Sequence, residues 1–270
     1  MGYWHMLDIP ESWLTNPNHL IQRQALISGE PYIAKEKIRL ALRQLEYPLY
    51  HLDFETFPCP LPRFAGEKCY DQSPFQFSVH VENPMGNCDL EKDHYEFLAT
   101  SFQEDQRAQL VEKLCQVIDL QNGGMVLAQN VNFEKKVLKY LLANYPAYRK
   151  QLQQMLDNMY DLLYVIRNNK TFYQELGYSY EEARKVNYYH KDLSGSYSLK
   201  KTLQVFSDLS YENMGVRDGM EALITYANFD NYDAATYQQK YQDLVAYCKQ
   251  DSYAMFVILE KIRQEVASCE

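Results

Sequence analysis

The chain has 270 residues, of which 46% are hydrophobic and 23% are charged, an ordinary balance for a globular protein with room for one large domain or two small ones. It contains no apolar run of the roughly 18 to 20 residues that a membrane span needs, and its N-terminus lacks the pattern of a signal peptide. We therefore expect a cytoplasmic protein with no membrane partner. The sequence leaves the oligomeric state open.

The formal net charge of −9 at first argues against a nucleic-acid partner. The charge is uneven, however, because residues 132–201 contain 12 Lys or Arg against 7 Asp or Glu. This locally basic stretch can track phosphates, although a run of charge is more often a solvated face. The six cysteines include no C-x-x-C pair, so we interpret all of them, Cys269 included, as free thiols rather than as a zinc knuckle or a disulfide scaffold.

Residues 1–46 are a short lead-in to the rest of the chain. Apolar residues at helical spacing predict an amphipathic helix over residues 34–45. Because the segment is too small to fold alone, we interpret it as the tail of a larger preceding region, such as a fused N-terminal domain in a longer parent protein.

The run over residues 49–57 (LYHLDFETF) puts two acids inside an apolar, aromatic stretch that predicts a buried strand. Alternation along a strand sends Leu52 and Phe54 to one face and both Asp53 and Glu55 to the other. Two carboxylates side by side cost several kcal/mol to bury unless something compensates them, and a divalent metal with oxygen ligands is one such compensation. The alternative is an edge strand whose acidic face is simply wet.

A Pro-rich loop over residues 58–74 follows, and residues 75–81 then alternate apolar and polar side chains as a half-buried strand does. A turn leads into a further strand, so the first three strands predict an antiparallel meander. Residues 103–120 predict a helix, and the short apolar run 125–128 predicts a buried strand.

The next helix begins near Phe133, with either Asn130 or Asn132 as its expected N-cap. Glu134 precedes the first apolar residues of this helix by three and four positions, so it points along the apolar side. Taken alone, it is more simply a first-turn acid that complements the helix dipole.

Residues 146–190 are polar and rich in tyrosine, and their structure is poorly determined by the sequence. Gly195 then predicts a turn before a helix start, where backbone amides, Ser198 and Lys200 can meet a phosphate. A plain Ser-capped helix is an equally good interpretation. Residues 218–228 predict another short helix.

The last predicted helix runs over residues 236–267. Its apolar stripe is centred near Cys248, and Tyr247 and Asp251 form an i, i+4 pair at the edge of the buried face. Such a pair is ordinarily a hydrogen-bonded packing detail.

The acids as a set resemble the motifs of the DEDD superfamily of 3′ to 5′ exonucleases, tyrosine subclass, which has a ribonuclease H-like fold. Its motifs are Asp-x-Glu on a strand, an Asn followed by Phe-Asp, and Tyr-x-x-x-Asp. They are matched, in chain order, by Asp53 and Glu55, by Asn130, Phe133 and Glu134, and by Tyr247 and Asp251.

The resemblance covers about residues 48–262, and the wider runs YPLYHLDFET, FQFSVHVE, GSYSLK and YCKQD look like an uncharacterised bacterial family of that superfamily. It implies an α/β domain over residues 47–268, with a mixed sheet of an antiparallel meander plus parallel strands, flanked by helices. The sequence departs from the family pattern at Glu134, where Asp is usual, and in an insert at about residues 165–195.

The resemblance implies hydrolysis of phosphodiester bonds at the 3′ end of single-stranded DNA or RNA, with two Mg²⁺ or Mn²⁺ ions clamping the attacking and leaving oxygens. Asp53, Glu55, Glu134 and Asp251 would hold the metals, with Asp53 bridging both. Tyr247 would orient the attacking water. The residues expected to contact substrate are Phe57, stacking on the terminal base, and Asn130, Ser198 and Lys200.

Two other interpretations stay open. One keeps the enzyme class but makes the substrate very short RNA or a non-nucleic phosphodiester. The other is a catalytically weak ribonuclease H-like module that binds nucleic acid or a partner domain, which Glu134 and the acidic composition favour.

Overall fold

The computed structural model describes residues 2–267, which form two compact units. The sheet unit contains residues 45–161 and 209–257, and the helical unit contains residues 2–44, 162–208 and 258–267. Most of the predicted lead-in and of the predicted insert therefore belongs to the helical unit. Met1, Cys269 and the expected domain end at residue 268 lie outside the described residues.

The strands and helices are numbered in chain order. The strands are β1 (Tyr32–Ile33), β2 (Leu49–Phe57), β3 (Ser73–Glu82), β4 (His94–Leu98), β5 (Met125–Ala128), β6 (Met159–Asp161) and β7 (Tyr188–Tyr189). The helices are α1 (Pro17–Ser28), α2 (Lys35–Leu42), α3 (Arg107–Val117), α4 (Asn132–Asn144), α5 (Arg149–Asp157), α6 (Leu163–Ile166), α7 (Lys170–Glu175), α8 (Tyr180–Ala183), α9 (Leu199–Phe206), α10 (Gly219–Ala227) and α11 (Ala234–Ala267).

The sheet unit is built on five strands in the order β4-β3-β2-β5-β6. Strand β2 lies at the centre, antiparallel to β3 and parallel to β5, and β5 in turn is parallel to β6. Strands β2, β3 and β4 form the predicted antiparallel meander. The predicted fold class is confirmed: the protein is α/β, with a mixed sheet flanked by helices.

The core of the sheet unit explains why β2 is central. Its residues Leu52 and Phe54 are almost fully buried and pack with apolar side chains of α3, α4 and α5. Burying aliphatic and aromatic side chains on one face of a strand contributes roughly 1.5 to 3 kcal/mol each, so the alternation of β2 is held in a single register. The opposite face is left to the polar residues.

The turn into β5 requires glycine. Gly124 has a φ of +107°, and a Cβ at this position would lie 2.8 Å from the carbonyl oxygen of Pro48. That same oxygen accepts a hydrogen bond from the Met125 N–H, which starts the parallel pairing of β5 with β2. The helix before this turn is shorter than the predicted residues 103–120, since α3 begins at Arg107 and ends at Val117.

The helical unit carries a two-stranded antiparallel sheet in which Tyr32 pairs with Tyr189. Lys37 of α2 is buried there, where its ammonium donates to the carbonyl oxygens of Glu182 and Lys185 and lies over the ring of Tyr173. Burial lowers the pKa of Lys37 to about 8.

Two general features apply to the described residues. Cys59, Cys69, Cys88, Cys115 and Cys248 are all free thiols. Between residues 2 and 267, no helix combines the length and the apolar composition that crossing a membrane requires.

Candidate metal centre

Strand β2 presents Asp53 and Glu55 on the face opposite its buried apolar residues. Both acids are partly buried, whereas Leu52, Phe54 and Thr56 are buried. The pairing of β2 with β3 shifts register between Glu55 and Thr56, a bulge directly after the second acid. Bulges bend a strand and redirect its side chains, and they are frequent beside functional sites.

Helix α11 supplies the third carboxylate, Asp251, which is buried. Cys248, one turn earlier, is fully buried, and its thiol lies 3.3 Å from Oδ2 of Asp53, so this face of the helix packs directly on β2. One carboxylate oxygen from each of Asp53, Glu55 and Asp251 lies within 4.8 Å of the other two. The structure thus brings together three of the four acids predicted to hold metal.

The electrostatics of this group are those of acids crowded together out of water. Burial is the largest influence raising the pKa of Asp53 well above its ordinary value, and the charges of Asp251, Glu55 and Glu134 add to it in that order. A hydrogen bond with the Cys248 thiol acts in the opposite direction. Carboxylates in this arrangement either hold protons or bind a cation, and hard divalent ions prefer oxygen ligands of this kind.

Glu134 lies in the first turn of α4 and is only 5% exposed. Its Oε2 is buried and has no hydrogen-bond partner. Burial, followed by the charge of Asp161, raises its pKa from 4.5 to about 8. Glu134 is not part of the compact three-acid group, yet its charge is felt at Asp53, so it borders that group with a carboxylate oxygen left unsatisfied.

Two tyrosines hold Asp251. Tyr247, predicted from the sequence, is buried and hydrogen-bonds this carboxylate. Tyr211, which sequence reasoning missed, donates from its hydroxyl to Oδ1 of Asp251 at 2.5 Å. Burial, followed by the charge of Asp251, raises the pKa of both hydroxyls, so both are protonated donors at neutral pH.

Asp161 is a further acid that sequence reasoning missed. It ends β6, is buried, and its Oδ1 accepts a hydrogen bond of 2.9 Å from the backbone N–H of Asn130. This bond fixes the turn between β5 and α4, and it thereby helps to position Glu134. The signal available in the sequence is an acid in the middle of the compact apolar run 159–163.

The predicted N-caps of α4 are wrong. The N-cap residue is Val131, with no side-chain cap hydrogen bond, and Asn132 is the first helical residue. Asn130 instead adopts a left-handed conformation with a φ of +67°, which Asn tolerates better than most residues, and its Oδ1 accepts from the Asn132 side chain. Its exposed amide stays a predicted substrate contact.

Phe57 is the last residue of β2 and is partly exposed. Its ring meets that of Phe102 edge to face at 4.9 Å, and the Arg63 guanidinium lies 4.8 Å from its centre. Stacking of Phe57 on a base stays a prediction.

Ser198 and Lys200 belong to the helical unit. Ser198 occupies the N-cap position of α9, as one of the two sequence interpretations expected, but its side chain makes no cap hydrogen bond. The contact of Ser198 and Lys200 with phosphate stays a prediction.

Comparison with known proteins gives one match. A protein-family model described as Domain of unknown function (DUF2779) matches residues 50–198, just over half of the chain. No curated protein matches the chain, and no solved structure matches it. The matched region includes Asp53, Glu55 and Glu134.

Proposed function

The chain belongs to the DUF2779 family, and we propose that it is a metal-dependent 3′ to 5′ exonuclease that hydrolyses phosphodiester bonds in single-stranded DNA or RNA. The observation that carries the proposal is the meeting of Asp53, Glu55 and Asp251, with ligand oxygens within 4.8 Å of one another. Glu134 borders them, and Tyr247 contacts Asp251.

The sheet order supports a ribonuclease H-like core for this proposal. The strand that carries Asp53 and Glu55 lies between an antiparallel and a parallel neighbour, and an antiparallel meander occupies one side of the sheet. Helix α11 brings the last acid to that strand from almost 200 residues away in sequence.

The residues present fit divalent ions. The donors are all carboxylates, the ligand type that Mg²⁺ and Mn²⁺ prefer, and Oε2 of Glu134 is a buried oxygen without a hydrogen-bond partner. Asp53, Glu55 and Asp251 would hold metal, with Glu134 as the fourth ligand. Bound divalent ions would supply an activated hydroxide and neutralise the charge that gathers on the phosphate oxygens.

The protein residues have their own tasks in this reaction. Where the carboxylates of β2 and α11 are ionised, they repel the phosphodiester unless cations are present. Tyr247 stays protonated because burial and the neighbouring acids raise its pKa, so its hydroxyl orients the attacking water by hydrogen bonding rather than by taking its proton outright. Phe57 would receive the terminal base against its partly exposed ring.

The test uses single strands of DNA and of RNA, each labelled at either the 5′ or the 3′ end, incubated with the full chain and Mn²⁺. A 3′ to 5′ exonuclease gives a descending ladder from the 5′-labelled strand and releases labelled mononucleotide at once from the 3′-labelled strand. Asp53→Asn removes one charge with little change of shape and should abolish both signals. Asp157→Asn, at an exposed position on α5, is the matched control and should leave them intact.

A second candidate is a catalytically weak module that binds nucleic acid or a partner domain. The position of Glu134 outside the compact three-acid group favours it, because an incomplete metal shell slows hydrolysis more than it weakens binding. Strands that bind the protein in a Mn²⁺-dependent way but are never shortened would select this function. Shortening that persists in Asp53→Asn would refute the metal-centre proposal altogether.

A further inference from the structure

Tyr211 lies on the segment between α9 and α10, outside every motif of the metal centre. Its side chain is 6% exposed, and its hydroxyl donates to Oδ1 of Asp251 at 2.5 Å. A carboxylate offers about four lone-pair directions, so this bond occupies one of them and leaves others for a metal. Charge-assisted hydrogen bonds of this kind are short and directional, and they fix the rotation of the carboxylate.

The segment around Tyr211 is itself attached to α11. Gln250, the residue before Asp251, donates from its side-chain amide to the carbonyl oxygen of Ser210, the residue before Tyr211, at 3.1 Å. Gln250 and Asp251 are adjacent on α11, and they therefore bind two adjacent residues of the segment, Ser210 and Tyr211. The turn of α11 that carries Asp251 therefore also holds the backbone immediately before Tyr211.

The two tyrosines on Asp251 are also packed against each other. The rings of Tyr211 and Tyr247 meet edge to face with their centres 6.0 Å apart. Because both hydroxyls bind the same carboxylate, removal of one leaves the other as a partner. The hydroxyl of Tyr247 can therefore turn to a water molecule without releasing Asp251, provided that Tyr211 stays in place.

We infer that Tyr211 is a positioning residue of the metal centre, which holds the Asp251 carboxylate in its metal-binding orientation and frees Tyr247 to act on the attacking water. This inference rests on the proposed function. Outer hydrogen-bond partners of metal ligands typically change metal affinity by 10- to 100-fold when they are removed.

The experiment measures Mn²⁺ binding to the full chain by isothermal titration calorimetry and, in parallel, the Mn²⁺ dependence of strand shortening. Tyr211→Phe is expected to weaken Mn²⁺ binding about tenfold, to raise the Mn²⁺ concentration for half-maximal activity by a similar factor, and to recover activity as Mn²⁺ is increased. Tyr247→Phe is expected to stay slow at saturating Mn²⁺. This contrast separates positioning from a merely structural contribution.

Tyr50→Phe is the matched control. Tyr50 is also 6% exposed and lies on β2, but its hydroxyl donates to the backbone carbonyl of Asp119 rather than to an acid of the site. Equal losses of Mn²⁺ affinity in Tyr50→Phe and Tyr211→Phe would overturn the inference, as would an unchanged affinity in Tyr211→Phe. If Tyr211→Phe fails to fold by near-ultraviolet circular dichroism, Gln250→Ala replaces it and is expected to shift Mn²⁺ affinity in the same direction.

The outcomes separate this inference from the function on which it rests. A wild-type chain that binds Mn²⁺ but shortens no strand refutes the exonuclease, and calorimetry on Tyr211→Phe still decides the positioning role. A wild-type chain that shortens strands while Tyr211→Phe behaves identically refutes the positioning role alone. A wild-type chain that binds no Mn²⁺ overturns both.

Discussion

In the metal-free protein, the free energy of unfolding should fall less with rising pH in Glu134→Gln than in the wild type. Glu134 is 5% exposed, and its pKa is raised from 4.5 to about 8. The folded protein therefore holds this proton at pH values where the unfolded chain has lost it. Raising the pH between these two values lowers the free energy of unfolding, and the full decrease is reached above about pH 8.

The magnitude follows from the two pKa values. Between pH 5 and pH 8.5, a carboxyl that titrates at about 8 in the folded state and at 4.5 in the unfolded state lowers the free energy of unfolding by at most about 4 kcal/mol. Gln carries no charge at any pH, so Glu134→Gln should lose most of this slope. The amide of Gln brings its own hydrogen-bonding cost, but that cost does not vary with pH.

The assay is urea denaturation in EDTA at several pH values from 5 to 8.5, followed by circular dichroism. Glu112→Gln, at an exposed position on α3, is the matched control and should run parallel to the wild type. In Mn²⁺, the wild type should recover stability at high pH because the ion binds only the folded state, and Glu134→Gln should recover less. Parallel curves for Glu134→Gln and the wild type in EDTA would refute the burial argument for this acid.

Two further predictions concern the helix that carries Asp251. Ser252→Ala should lower the free energy of unfolding, measured in urea, by about 1 to 3 kcal/mol. The reason is that the buried Ser252 hydroxyl contacts both Ser78 Oγ at 2.6 Å and His80 Nδ1 at 2.7 Å. An unchanged urea midpoint would contradict this. In the native protein, iodoacetamide should label the exposed Cys69 and spare Cys248, whose thiol is fully buried and has a pKa well above its ordinary value. Peptide mass spectrometry checks this, and labelling of Cys248 at the rate of Cys69 would contradict it.

The sequence predicts the local part of the site well. Alternation places Asp53 and Glu55 on one face of β2, and helical spacing places Tyr247 one turn before Asp251, so both pairs follow from periodicity. The mixed sheet and its antiparallel meander are also confirmed. The acid pairs and the meander depend on residues that are close together in the chain, whereas the parallel strands of the mixed sheet were expected only from the family resemblance.

The remainder could not be predicted because it depends on contacts between distant segments. Tyr211 lies in a stretch without periodicity, and only the packing of that stretch on α11 gives it a role. Asp161 lies in a stretch whose structure the sequence leaves undetermined, yet its bond to the Asn130 N–H helps to shape the start of α4, where an Asn N-cap was expected. The raised pKa of Glu134 depends on burial, which the spacing of charges does not reveal.

Burial of the acids links metal binding to proton release. Asp53 and Glu134 both have raised pKa values, chiefly because of burial, so without a cation they favour their protonated forms. A divalent ion at the proposed metal centre would bind the ionised carboxylates and displace those protons, so we expect its apparent affinity to rise with pH over the range in which they titrate. Glu134 can therefore affect metal binding through two variables, the reach of its carboxylate and the pH at which it is ionised. Metal binding measured at pH 6 and at pH 8.5 separates them, since a defect of reach persists at both pH values and a defect of ionisation disappears at the higher one.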